Sequence, residues 1–147
     1  MKTMVGRSES LSILLVNALR NIERELEPVL SQHELTPDHG RILLVVRRHG
    51  VVPMKELSDR GGIPAPSTTR HVDRLVSKGL VSRRADDVDR RKVLVVLTSR
   101  GTALADKLRA IEATAQAELL ATPAAPSPDA VSEVLELMAG SFAKVAS

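Results

Sequence analysis

Gly61-Gly62-Ile63 limits this chain more than any other stretch, because it sets a tight turn between two short segments that each carry one apolar side. Glycine accepts the backbone angles of such a turn without steric cost. Residues 54–60 read as a first short helix and residues 65–78 as a second, stopped by Gly79. Val72, Leu75 and Val76 give the second helix a buried side, which leaves Ser67, Thr69, Arg70 and Arg74 facing outward. Residues 80–84 and 93–97 are β-rich runs, the second being Val93-Leu94-Val95-Val96-Leu97. The polar loop Asp86-Asp87-Val88-Asp89-Arg90-Arg91-Lys92 joins them into a hairpin.

Helix, glycine turn, helix and ribbon in that order make a winged helix-turn-helix, an arrangement that puts one helix into a DNA major groove with a hairpin tip beside it. Amphipathic helices flank it. In residues 8–32, Leu11, Leu15, Ala18, Ile22, Leu26 and Val29 recur at helical spacing, and Ser8 or Ser10 stands ready as a cap. Thr36-Pro37 starts the next helix, whose apolar face is Ile42, Leu43, Val45 and Val46 and whose end is Gly50. Thr98 caps a long helix reaching about residue 121, with Leu104, Leu108, Ile111, Ala115 and Leu119 in one stripe. Three prolines, Pro123, Pro126 and Pro128, break it. Ser127-Pro128 opens a last helix carrying Val131, Val134, Leu135, Met138, Phe142 and Val145.

The expected fold class is mainly α with a small β-hairpin wing (α+β). Residues 1–147 form one domain, with a DNA-binding lobe at 36–98 between dimerisation helices at 8–34 and 100–147. A domain of this size cannot cover both flanking stripes by itself, and a twofold partner would cover them.

Composition narrows the function. The 147 residues are 43% apolar, enough for a core, and contain no Cys, which excludes disulfides, a thiol switch and Cys-ligated zinc. No stretch approaches the roughly 20 apolar residues of a membrane span. Met1 to Arg7 lacks a signal-peptide core, so the sequence reads as cytoplasmic with no membrane partner. Residues 41–109 hold 16 Lys and Arg against 7 Asp and Glu, whereas the rest has 5 against 11. A basic centre between acidic ends points to double-stranded DNA gripped by the centre, with steep salt dependence.

Ser67, Thr69 and Arg70 lie in the first turns of the second short helix, the end that enters a groove, and an arginine can pair bidentately with guanine O6 and N7. Arg70 is therefore the first base-reading candidate. In the loop, Asp89 and Arg91 stand two residues apart, so in an extended segment both project to one side and can pair. An arginine held this way enters a narrow minor groove with less rotamer freedom to lose. Arg83 and Arg84 are weaker candidates.

Enzymatic use of Ser67, His71 and Asp73 is disfavoured, because residues two apart on a helix point away from each other. No phosphate-binding glycine loop is present, and no cofactor is implied. His33, His39, His49 and His71 show no zinc spacing, so no metal site is assigned; His39 is expected at an interdomain crevice or at the dimer interface. The rival function is a dimeric winged-helix scaffold that binds protein without a specific operator.

Lys55-Glu56-Leu57-Ser58-Asp59-Arg60, Ser67-Thr68-Thr69-Arg70-His71-Val72-Asp73-Arg74-Leu75, Lys78-Gly79-Leu80-Val81, and Asp89-Arg90-Arg91 through Leu97-Thr98-Ser99-Arg100-Gly101 together closely resemble the multiple antibiotic resistance regulator (MarR) family of transcription factors. The resemblance implies a homodimer whose terminal helices form the interface and whose two lobes bind a pseudo-palindromic operator as a repressor, with release by a small-molecule effector. It assigns orientation to Asp89, minor-groove insertion to Arg91 and phosphate contact to Arg90 or Lys92, and it gives Pro66 a thymine-methyl contact. The chain departs from the family at Gly61 and His71, where apolar core residues are usual, and at Pro64, where Ser often caps the recognition helix. One Phe and no Trp or Tyr argue against an effector pocket of aromatic rings.

Overall fold

The computed structural model describes residues 9–145, with side chains described for residues 9–140. The capping role offered for Ser8 and the packing expected of Phe142 and Val145 lie outside those residues. The elements run α1 (Leu11–Gln32), α2 (Pro37–His49), β1 (Val51–Pro53), α3 (Met54–Gly61), α4 (Ala65–Ser77), β2 (Val81–Ala85), β3 (Val93–Leu97), α5 (Ser99–Leu119) and α6 (Pro128–Val145).

The architecture is the expected one, mostly helical with a small antiparallel sheet, but that sheet has three strands where the sequence suggested a two-stranded ribbon. β3 is central, with β1 on one side and β2 on the other. Val51, Val52 and Pro53 pair with Val96, Val95 and Leu94. Pro53 has no N–H to give a ladder and is accommodated because β1 is an edge strand.

Most expected boundaries hold to within a few residues. Thr36 precedes α2 with Pro37 in its first turn, and Gly50 follows at φ 77°. Ser10 stands at the start of α1 but makes no capping bond there; its hydroxyl meets Ser12 Oγ instead, 3.0 Å away. On α4 the buried side is Thr68, Val72 and Leu75, while Val76 is 36% exposed. Thr68 is tolerated inside because its hydroxyl donates to the carbonyls of Ile63 (3.3 Å) and Pro64 (3.1 Å). Pro64 offers no side-chain cap to α4, as its chemistry dictates.

One core runs through the lobe into the flanking helices. Leu30 of α1, Ile42, Leu43 and Val46 of α2, Leu57, Val72, Leu75, Val95 and Leu108 are all fully buried. This packing fixes α4 and the sheet on a common base formed by α2 and α5. Thr98 locks the sheet to α5: its hydroxyl accepts from Gly101 N–H at 3.0 Å and donates to Gly79 O at 2.7 Å. The two ends of the chain remain unlike the lobe. Leu11, Leu14, Leu15 and Leu19 of α1 are between 39 and 58% exposed, and none of the described α6 side chains is buried.

Candidate nucleic-acid interface

Helix α4 presents its polar side outward because Thr68, Val72 and Leu75 hold the opposite side in the core. Pro66, Thr69, Arg70 and Arg74 are exposed and Ser67 is half-buried. Arg70 Nη2 donates to Ser67 Oγ at 3.3 Å, so a groove-entering arginine is already steered by a neighbour one turn earlier. Thr69 Oγ1 leans on Ala65 O at 3.4 Å. Arg74 turns aside to Glu34, 3.6 Å away, and shares that carboxylate with Lys78. Glu34 is held below the usual carboxylate range by its hydrogen bond from Lys78, then by the charges of Lys78 and Arg74. Arg74 therefore stands less free than Arg70.

The wing is ordered from within. Asp86 Oδ1 accepts the backbone N–H groups of Val88 (2.8 Å) and Asp89 (3.3 Å), and those bonds lower its pKa. The loop is closed by Asp86 N–H to Lys92 O at 3.1 Å and Lys92 N–H to Asp89 O at 2.9 Å. The sequence reading missed Asp86, whose place two residues before the N–H it receives is the signature of an Asx turn. Asp89 Oδ1 accepts both Arg91 N–H (3.1 Å) and Arg91 Nε–H (3.2 Å), as the spacing suggested. The Arg91 side chain is nonetheless 93% exposed. Arg90 and Lys92 are exposed beside it. Arg83 of β2 pairs with Asp73 of α4, which ties wing to helix and removes Arg83 from the free cations.

Ser67, His71 and Asp73 do not assemble, since Asp73 is taken by Arg83 and His71 Nε2 lies 3.3 Å from Asp38 Oδ2. His39 is buried between α2 and α4 against His71, with ring centroids 4.5 Å apart. Among the described residues no three His, Cys, Asp or Glu side chains are placed to hold a metal ion, and no helix is long and apolar enough to cross a membrane.

A second feature lies away from this face. A cavity of about 840 Å³ opens among α1, α2, α5 and α6, lined on its apolar side by Ala18, Ile22, Leu44, Leu119, Leu120, Val131 and Leu135. Arg47, Arg48, Arg109 and Glu112 supply its polar side. Arg47 and Arg109 both reach Asp106, at 2.7 and 3.8 Å. Burial pushes the Glu112 carboxyl up. These residues come from four separated helices, and without aromatic markers no local pattern in the sequence singles them out.

Comparison with known proteins gives a consistent result. The profile described as "MarR family" matches residues 33–92. The HTH-type transcriptional regulator FarR of Neisseria gonorrhoeae is 30% identical over 103 residues, 70% of each chain. The HTH-type transcriptional regulator MhqR of Bacillus subtilis is 30% identical over 101 residues, 69% of this chain and 70% of that one. Among solved structures, a mutant MarR from E. coli complexed with operator DNA superimposes with a TM-score of 0.66 at 28% identity, covering 87% of this chain and 90% of that one. NadR in complex with 4-hydroxyphenylacetate gives 0.73 at 25% identity, covering 95% and 96%.

Proposed function

The chain belongs to the MarR family of transcriptional regulators, and from that premise we propose that it acts as a homodimeric repressor that reads a pseudo-palindromic operator. Each copy inserts α4 into a major groove and its wing into the flanking minor groove. Arg70 reads a base edge, with Ser67 steering it and Thr69 and Pro66 beside it. Arg91 enters the minor groove while Asp89 orients it. Arg90, Lys92 and Arg74 contact phosphates, Arg74 on leaving Glu34.

One observation carries this reading: the Arg91 guanidinium is 93% exposed yet tethered to Asp89 at 3.2 Å. An ion pair that exposed contributes little to folding, so its chief effect is to restrict the arginine. Restriction is useful only toward something the arginine will meet, and a narrow minor groove has the potential to receive it. The protein-binding scaffold alternative is disfavoured, since the same face carries Arg70, Arg90, Arg91 and Lys92 in place of an apolar patch.

Release follows from the cavity. Arg48 has no ion pair among the described residues, and among those residues the apolar walls beside it carry no aromatic ring. A small organic anion with an aliphatic body fits that chemistry, and NadR supplies a solved relative with a carboxylate ligand. Occupation beside α1, α2 and α5 would change the separation of the lobes, and both lobes must engage at once.

The test is selection of bound fragments from a random DNA pool at two salt concentrations, followed by two variants on the selected site. Arg70→Ala is expected to cost about 1–3 kcal/mol and relax choice at one base position of each half-site. Arg90→Ala should weaken all duplexes alike and reduce the salt slope by about one. Operator preference that survives Arg70→Ala intact would overturn the base-reading assignment.

A further inference from the structure

His39 and His71 are 32 positions apart, yet their rings meet edge to face at 80° with His39 Nε2 3.2 Å from His71 Nδ1. The pair joins the first turn of α2 to the middle of α4. Its protons can be assigned from the partners at either end. His39 Nδ1 lies 2.9 Å from the Thr36 backbone nitrogen, and an amide N–H can only donate. Nδ1 is therefore bare, and the single proton of the His39 ring sits on Nε2. That proton is donated to His71 Nδ1, which places the His71 proton on Nε2, facing Asp38 Oδ2 at 3.3 Å. Thr36, His39, His71 and Asp38 thus form a relay in which each gap holds one proton.

Such a relay leaves a further proton one acceptor alone, the Thr36 hydroxyl oxygen 2.8 Å from His39 Nδ1. A proton added to His39 Nδ1 would oppose the Thr36 amide hydrogen, and one added to His71 Nδ1 would oppose the His39 Nε2 hydrogen. The first breaks the Thr36 bond that closes the start of α2 and puts a charge on a buried ring, and the second breaks the link between α2 and α4. The geometry points to a proton-operated latch on the recognition helix, closed at neutral pH to hold α4 in its DNA-reading orientation and released in mild acid with loss of operator affinity. This inference rests on the operator-reading role given to α4 above.

The charges around the pair are compatible with it. Asp38 of α2 and Arg74 of α4 act on it directly, and behind them Arg41 is bound to Asp38 while Glu34 of the α1–α2 connection holds Arg74 and Lys78. Arg41 also lies 3.8 Å from Glu23 of α1. Glu34 is held below its ordinary range and stays ionised through mild acid. Burial, then His71 and Arg74, push His39 down to about 4 from an ordinary 6.5, against the pull of Asp38. A His39 released from its burial would take its proton near the ordinary value. Acidification from that value toward 4 therefore favours the released form, by up to about tenfold per pH unit.

Two measurements test the latch. Affinity for the selected operator is compared at about pH 7.5 and about pH 5.0, at constant ionic strength and against a random-sequence duplex, for wild type and for the His39→Asn, His71→Asn double variant. The readout is the ratio of the two affinities: about tenfold weaker operator binding in acid for wild type, and under about twofold for the variant, whose amides do not titrate. A flat wild-type ratio with selective binding retained overturns the latch alone, as does a wild-type ratio kept by the variant. No selective binding at either pH overturns the operator reading and the latch with it. Should the variant fail to fold, ¹H–¹⁵N correlation of the wild-type imidazoles decides: both rings must be in the Nε2–H form at about pH 7.5, and an Nδ1–H form on either overturns the relay.

Discussion

Asp89 shows how far one residue can be read from sequence and where the structure adds to it. Its spacing from Arg91 was legible, because residues two apart in an extended segment share a side. The second bond, from the Arg91 backbone N–H at 3.1 Å, was not, since it depends on the turn that Asp86 imposes. The double hold makes a prediction with a diagnostic sign. Asp89→Ala removes a negative charge from the wing, which by Coulomb attraction alone would tighten binding to any duplex. If the carboxylate serves to order Arg91, operator binding weakens instead, by about 0.5–1.5 kcal/mol for one freed side chain. Fluorescence anisotropy on operator and random duplexes distinguishes the two: weaker operator binding with random binding equal or tighter is expected, and tighter binding to both contradicts the orienting role. His39 and His71 were not legible at this scale. His71 stood out only as a polar residue at an expected core position, and nothing local connects it to a partner 32 residues away.

At the scale of elements, the helices and the hairpin were written in periodicity, capping residues and glycine stops, whereas β1 was not. Val51-Val52-Pro53 is too short for a period and contains a residue that disfavours strands, so it becomes a strand only because β3 offers it an edge. The join between sheet and α5 was half legible: Thr98 was recognisable as a cap, but the need for glycine at position 101 appears only when Leu80 is seen across it. A Cβ on Gly101 would lie 1.8 Å from Leu80 O and 2.8 Å from its carbonyl carbon. Those are backbone atoms, and Leu80 O also receives Thr98 N–H at 3.1 Å, so neither side can yield without opening the junction. Gly101→Ala is expected to destabilise the fold by about 3 kcal/mol or more, at the upper end for overpacking. Urea unfolding measures it, and a loss under about 1 kcal/mol would mean that the sheet and α5 are less tightly joined than they stand here.

For the whole molecule, the unfinished part is the pair of terminal helices. The C-terminal half of α1 enters the core through Leu26, Val29 and Leu30, while its N-terminal half leaves Leu11, Ile13, Leu14, Leu15, Val16 and Leu19 between 39 and 58% exposed. Water would not tolerate so continuous an apolar stretch without cost, and a second copy related by a twofold axis is the simplest cover. If that is its purpose, charge placed there should separate assembly from folding. Leu11→Asp with Leu15→Asp alters side chains that are 58 and 39% exposed within one copy and lie outside the core, so the lobe should keep its helical circular dichroism. Sedimentation should then report a monomer. Because the second lobe of a dimer binds as an intramolecular event, losing it should weaken binding to a full operator by about 100-fold while affinity for an isolated half-site stays near that of one wild-type lobe. A double variant that still sediments as a dimer would move the interface elsewhere, and a monomer that bound the full operator as wild type does would remove the need for two copies.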